Sequence, residues 1–307
     1  MFSSLRQIFT KLIVLFFLIF SVNTMAVAGT ADSEEKLDKI EELLHFRGIE
    51  GPLKFPFPGG FFNLTTSDML FLPGLYADQF MELIGNHSNI GRLAVVIKKD
   101  NPSWVFDIVY SDIGYISDKE AKTWDVDALF EKQLKGDKER NEIRRQKGMP
   151  EIETLGWVKK PVYDEKKHHL GWAINLKPIG PNVREETGNI VNYKTYILSR
   201  RGYIEVSFLS GESEFEAEKA IAEELREGIH FYEGEGYEDF IPKQDKVAWF
   251  GISTLISGTY GRFAEREEFL LIFVIIIIGG ILFAVVAFKR FLERKALVQP
   301  NGNDTLE

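Results

Sequence analysis

VNYKTYILSRRGYIEVSFL, Val191–Leu209, is the stretch from which the fold is read. Val191–Leu198 and Tyr203–Leu209 are rich in β-branched and aromatic residues, and Ser199–Gly202 between them is a polar turn, so the segment predicts a strand pair. Upstream, Leu155–Tyr163 and Leu170–Lys177 repeat the pattern around the polar tip Asp164–His169. Downstream, Glu212–Glu227 predicts a helix with Phe215, Ala220, Ile221 and Leu225 on its apolar side and an acidic outer side, and Ile229–Tyr232 predicts one more short strand. Strand pairs followed by a helix predict an α+β domain built on an antiparallel sheet with flanking helices.

The earlier part of the chain is compatible with that class. Asp32–Arg47 predicts an amphipathic helix with Leu37, Ile40, Leu43 and Leu44 on one stripe, ended by Gly48 and Gly51-Pro52. Phe55–Leu64 predicts turns and short strands, and Ser67–Gly85 a helix broken at Pro73-Gly74. Arg92–Ile97 and Trp104–Ser111 predict two strands. Ser117 and Glu120 have capping-box spacing and open a short helix. Asp125 or Asp127 opens a longer charged helix reaching Gln146. Gly234–Gly236 leads to a final segment, Lys246–Ile256.

Both ends of the chain bear on location. Phe269–Phe288 is a run of twenty residues without a charge, long enough as a helix to span about 30 Å of hydrocarbon. It predicts a C-terminal transmembrane helix. Lys289, Arg290, Arg294 and Lys295 follow it, which places the tail 289–307 in the cytoplasm. Arg6 and Lys11, the apolar Leu12–Val22 and then Ala26-Val27-Ala28 have the order of a secretory signal peptide cleaved after Ala28, with an uncleaved N-terminal anchor as the alternative. The expected organisation is a signal peptide over 1–28, an extracytoplasmic domain over 29–268, a span over 269–288 and a short tail. Between cleavage site and span there are 31 Lys/Arg against 43 Asp/Glu, which argues against a nucleic-acid partner. Cysteine is absent, which removes thiol nucleophiles, Fe–S clusters and thiolate zinc sites.

Four ordered blocks carry a family resemblance: GYISDKEAKTWDVDALF (Gly114–Phe130), GWVKKPVYDEKKHHLGWA (Gly156–Ala173), VNYKTYILSRRGYIEV (Val191–Val206) and FYEGEGYEDFIPKQDKVAWFGISTLISG (Phe231–Gly258). In order and spacing they resemble the domain of unknown function 2167 family. Ser199 stands where Gly is expected in the turn, and Lys167 where Thr is usual. The resemblance implies a bacterial envelope protein at the inner (cytoplasmic) membrane, with the domain facing the periplasm. It implies no reaction and no catalytic residues. The order of elements is also similar to the PsbP/Mog1-like sandwiches, a likeness of topology alone.

Five constellations invite chemistry, and each has a structural reading beside it. His168 and His169, beside Tyr163, Asp164 and Glu165, suit a general base or a metal ligand. On a strand, however, neighbours point to opposite faces, and the segment also reads as a solvated hairpin tip. Asp112, Asp118, Asp125 and Asp127 offer hard oxygen ligands, but their spacing is not that of a calcium loop and helix capping accounts for them. Arg200 and Arg201, with Asn192 and Tyr193, border the second hairpin. The arginines suit a carboxylate or phosphate, or equally the acidic helix Glu212–Glu227. Tyr232 and Tyr237 lie in an aromatic, Gly-broken loop that suits a binding surface or the closing edge of a core. Trp249, Phe250, Ile252, Leu255 and Ile256 read as an interfacial or partner-docking helix, or as a helix packed on the domain.

No Gly-x-Ser-x-Gly, His-Glu-x-x-His, Walker or Rossmann pattern is present in the sequence. The expected function is a non-enzymatic, membrane-anchored binding or assembly module that meets another envelope protein or a second copy, with no cofactor and no metal. The alternative is an envelope hydrolase centred on Asp164 and His168, with His169 and Arg200 as further catalytic candidates. Asn192, Tyr193, Arg201, Tyr232 and Tyr237 are the candidate binding residues. A ligand-sensing domain is a third reading, opposed by a cytoplasmic tail too short to signal.

Overall fold

The computed structural model describes residues 28–257, apart from 87, 88, 90, 100–102, 147, 181, 182 and 184–187. The chain divides into Met1–Ser257 and Gly258–Glu307, and only the first unit is described. The expected span Phe269–Phe288 and the expected signal peptide up to residue 27 lie outside the described residues. Among the described residues no helix is long and apolar enough to cross a membrane.

The elements run α1 (Ala28–Arg47), β1 (Ile49–Glu50), β2 (Leu53–Phe57), β3 (Gly60–Leu64), β4 (Met69–Pro73), α2 (Gly74–Leu83), β5 (Arg92–Lys98), β6 (Trp104–Ser111), α3 (Val126–Gln146), β7 (Glu151–Asp164), β8 (His169–Ile179), β9 (Ile190–Leu198), β10 (Tyr203–Gly211), α4 (Phe215–Glu227), β11 (Ile229–Phe231) and α5 (Ser253–Ser257). Short 3-10 turns occupy Lys119–Lys122 and Tyr237–Asp239. Eight strands form one sheet in the order β1-β4-β5-β6-β10-β9-β8-β7, and β11-β3-β2 form a second. Every strand pairing is antiparallel. The α+β class is as expected.

The central strands bury both faces, which is why Val191–Leu209 shows no clean apolar/polar alternation. Phe106 and Phe208 lie directly opposite each other on β6 and β10. With Trp104, Ile108, Ile204 and Val206 they face a core closed by Phe57, Phe62 and Leu64 of the small sheet and by Phe215, Ala222 and Leu225 of α4. On the other face, Val95, Ile97 and Val105 pack under Ile40 and Leu44 of α1 and Ala77, Phe80 and Met81 of α2. Each such side chain removed from water contributes roughly 1.5–3 kcal/mol, so the two layers dominate the stability of the unit.

The edge strand β7 is partly blunted by α3. The Asn141 side chain donates to Ile152 O and accepts from Ile152 N–H, both at 2.8 Å. Bulges interrupt its pairing with β8, a common way of protecting a sheet edge. Asp125 starts α3 as expected, accepting from the N–H groups of Asp127 and Ala128 at 3.0 and 3.1 Å.

Three local expectations are corrected. The first half of Ser67–Gly85 is not helical: Met69–Pro73 is a strand paired with β5, and the helix begins only at Gly74. An apolar run of five residues can bury both sides of a strand as easily as a helix stripe, and here pairing decides. The capping box at Ser117 and Glu120 does not form. Lys119–Lys122 is a single 3-10 turn without a side-chain cap, and the Glu120 carboxylate is used elsewhere. In the last segment only Ser253–Ser257 is helical.

Candidate functional site

The polar tip of the β7–β8 hairpin is folded by Asp164. Its Oδ1 accepts from Lys166 N–H at 2.9 Å and Lys167 N–H at 3.2 Å, and these backbone bonds hold the carboxyl below the usual range. His168 then adopts a left-handed conformation with φ 55°. Among the described residues Asp164 and His168 share no hydrogen bond.

The His168 ring turns inward to a cluster of phenols. Its Nδ1 lies 3.0 Å from Tyr163 Oη, and Tyr163 donates to Asp118 Oδ2 at 2.8 Å. With the Tyr163 proton committed to Asp118, Nδ1 carries the hydrogen that reaches Tyr163, an assignment that follows from the network. Nε2 faces Glu238 Oε1 at 3.3 Å. Tyr237 Oη donates to Ile116 O at 2.8 Å and accepts from Asp118 N–H at 3.1 Å. The Tyr237 ring lies 4.3 Å from the His168 ring and 4.6 Å from Tyr115, whose other contact is Phe240 at 4.0 Å.

Burial raises the pKa of all three phenols, helped by the Asp118 bond at Tyr163 and by Tyr115 at Tyr237. They stay protonated and act as hydrogen-bonding struts, not as bases.

The second hairpin joins the same cluster. Arg200 grips Asp245 through Nε and Nη2 at 2.7 and 2.8 Å and donates to Gly234 O at 2.9 Å. Arg201 pairs with Glu235 at 2.8 Å. Arg200 holds the Asp245 carboxyl down at about 2, aided by the Ile241 N–H. The arginines therefore bind the loop that follows β11 and not the acidic helix Glu212–Glu227, because the hairpin tip carries them towards that loop. Gly202 makes the turn possible by close approach: a Cβ there would sit 1.9 Å from Ser111 O.

The rest of the loop closes onto the Tyr115 segment. Tyr115 N–H donates to Lys246 O and Ala248 N–H to Tyr115 O, each at 2.9 Å. The chain then alternates. Ala248 and Phe250 are buried, while Val247 and Trp249 are 55% and 56% exposed. Tyr232 and Ile241 add further exposed apolar surface to this loop. Glu120 Oε1 accepts from Ser253 N–H at 2.9 Å and from Ser253 Oγ at 2.8 Å, fixing the start of α5.

The remaining sequence candidates lie elsewhere. Asn192 and Tyr193 are neighbours on β9 and so face opposite sides of the sheet. Tyr193 lies on the α4 side, and His169, opposite Ile197 on the same face, is held neutral, its pKa lowered to about 4 by burial and by the Arg226 charge. Among the described residues no group of three or more His, Asp or Glu is placed to hold a metal ion.

The four sequence blocks thus converge on one cluster, and comparison identifies them. The pattern of the family described as "Protein of unknown function (DUF2167)" matches residues 52–288. The chain belongs to the DUF2167 family. Comparison with curated proteins finds no match. Among solved structures, the solution structure of cyanobacterial PsbP (CyanoP) from Synechocystis sp. PCC 6803 is similar with a TM-score of 0.36 and 12% identity, over 60% of this chain and 95% of that one.

The cluster brings together residues that the sequence offers in other company or not at all as site residues: Asp118 beside other aspartates, Tyr163 beside His168, Phe240 in the aromatic loop, Glu120 as a cap, and Tyr115. All five lie inside the quoted blocks. Their partners are more than a hundred residues away in several cases, so spacing alone carried no sign of them.

Proposed function

We propose that this DUF2167 protein is a non-enzymatic binding and assembly module, held in the bacterial cytoplasmic membrane by Phe269–Phe288 and facing the periplasm. Its docking surface is the loop between β11 and α5, which meets another envelope protein or a second copy of the chain. One observation carries this reading. The loop is pinned from beneath by Tyr237, Phe240, Ala248 and Phe250 and by the Arg200–Asp245 pair, yet turns Val247 and Trp249 outward. Clustered exposed apolar side chains on a fixed support are what a docking surface needs, because little ordering entropy is lost on binding. The hydrolase reading is weakened because Asp164 is committed to the turn and His168 to Tyr163 and Glu238.

The test is crosslinking in intact cells, then affinity purification of the detergent-solubilised full chain and of a Val247→Asp, Trp249→Asp double variant. A stoichiometric partner or a homo-oligomer with wild type, depleted at least tenfold with the variant, is expected. Recovery of a monomer from both, together with turnover of an envelope substrate that His168→Ala abolishes, would overturn the proposal in favour of hydrolysis.

A further inference from the structure

On the α4 side of the sheet, cationic hydrogen-bond donors outnumber their acceptors among the described residues. Lys159 of β7 and Arg226 in the last turn of α4 both reach one neutral oxygen. Lys159 Nζ and Arg226 Nη1 each lie 3.3 Å from Tyr193 Oη. The Lys159 ammonium also sits 5.1 Å from the centre of the Tyr193 ring. A phenol oxygen that accepts two cationic donors still has its own O–H to give, and no described residue receives it. Arg226 is only 17% exposed, and its Nε is buried without a partner among the described residues. Leaving a buried donor of a charged group unmade is costly, so such a group usually has an acceptor.

The surroundings add donors and charge. His169 is placed opposite Ile197 of β9, on the same face of the sheet as Tyr193, and is neutral near pH 7. Glu227 is taken by Lys167 at 2.9 Å, with Arg226 Nη2 further off at 3.4 Å. Asp164, beside His169, has its carboxylate on the turn amides. Lys219 is paired with Glu216. Among the described residues neither Lys159 nor the Nε edge of Arg226 is given a carboxylate, although acidic residues outnumber basic ones in the chain by 46 to 37. Gly171, on the same face, adds no side chain to crowd the spot, and a Cβ there would meet only ordinary contacts with Thr195 and its neighbours.

We infer that Lys159, Tyr193, Arg226 and His169 form a binding site for a phosphoryl group. Two cations and a hydroxyl offer donors to several oxygens at once, the arrangement that recognises an oxyanion and not a neutral polar group. The phosphoryl group belongs either to a soluble phosphorylated compound or to a lipid headgroup, and both present the same oxygens to these donors.

The experiment uses the full chain in uncharged detergent, with histidines labelled at Cε1 and the His169 signal assigned from His169→Gln. Inorganic phosphate is titrated against chloride at constant ionic strength. Wild type is expected to give a saturable His169 shift with phosphate and none with chloride. Arg226→Gln and Tyr193→Phe are expected to weaken it at least tenfold. Tyr193→Phe keeps the ring packing, so it serves if Arg226→Gln fails to fold. Flotation of the reconstituted chain with phosphatidylglycerol vesicles against phosphatidylcholine vesicles separates the sources. A preference lost in Tyr193→Phe assigns a lipid headgroup, and phosphate binding without a preference assigns a soluble ligand. A phosphate response equal in wild type and Tyr193→Phe, or no saturable response to either probe, overturns the inference.

Discussion

Glu120 and Ser253 are bonded twice across 133 residues of sequence: one carboxylate oxygen accepts both the backbone N–H and the hydroxyl of Ser253. The bond joins the first of the four blocks to the last and holds the start of α5 against the turn at Lys119–Lys122. Glu120→Ala leaves the Ser253 N–H without its acceptor. The expected cost is about 1.5–3 kcal/mol, the usual worth of a hydrogen bond to a charged group. Urea unfolding of the solubilised chain, comparing midpoints at unchanged m-value, measures it.

The Arg200–Asp245 pair predicts an acid-sensitive loop. The Asp245 carboxyl is held at about 2, against an ordinary value near 4, chiefly by the Arg200 hydrogen bond. A carboxyl whose pKa is lower folded than unfolded contributes stability that is complete above about pH 4 and fades as pH falls towards 2. Asp245→Asn should therefore flatten the stability profile between about pH 4 and pH 2 and leave its shape above pH 5 unchanged. Denaturation midpoints across that range, wild type against variant, decide it.

His169 predicts a second and separate acid effect. Its pKa falls from 6.5 to about 4 on folding, by burial first and by Arg226 second. The unfolded chain binds the proton more readily, so stability is complete above about pH 6.5 and declines as pH falls through that value towards 4. With partial solvent screening the loss is about 2 kcal/mol by pH 4. His169→Gln, which cannot charge, should lack this component. A His169 signal that titrates near 6.5 in the folded protein would contradict the account.

Arg92 is buried between Asp107 and Asp78, with Nε 2.8 Å from Asp107 Oδ1. Burial alone pushes the Asp107 carboxyl up, and Arg92 opposes it. Asp107→Ala leaves the buried guanidinium with Asp78 but with its Nε edge unmade, and should cost about 3–5 kcal/mol. The paired replacement Arg92→Met, Asp107→Leu should cost less, because the buried guanidinium leaves with its buried partner and Asp78, nearer the solvent, keeps the Asn89 N–H. The difference between the two in urea unfolding tests the claim.

The two hairpins and α4 were legible because β-branched and aromatic runs, turn residues and helical periodicity act over ten to fifteen residues. Met69–Pro73 was misread because its five apolar residues carry no period long enough to separate strand from helix. Glu120 was read as a capping residue on a spacing rule, and the orphan N–H of Ser253 claimed it instead. Arg200 and Arg201 were weighed against the acidic helix next in sequence, but the hairpin points them at residues 234–245. His168 stands beside Asp164 in the sequence, but its hydrogen bonds go elsewhere. Its partners, Tyr163 with Asp118 behind it and Glu238, are set by the convergence of three blocks, which only the tertiary fold supplies.

The central claim is that the loop fixed to this cluster docks a protein partner through Val247 and Trp249. The most direct measurement places a photo-crosslinking amino acid at Trp249 of the full chain in intact cells, with Ala217 on the exposed side of α4 as the control position. The account predicts a discrete adduct of one mass from position 249, absent from position 217 and diminished when Arg200→Gln frees the loop. No adduct from position 249, or the same adducts from both positions, would contradict it.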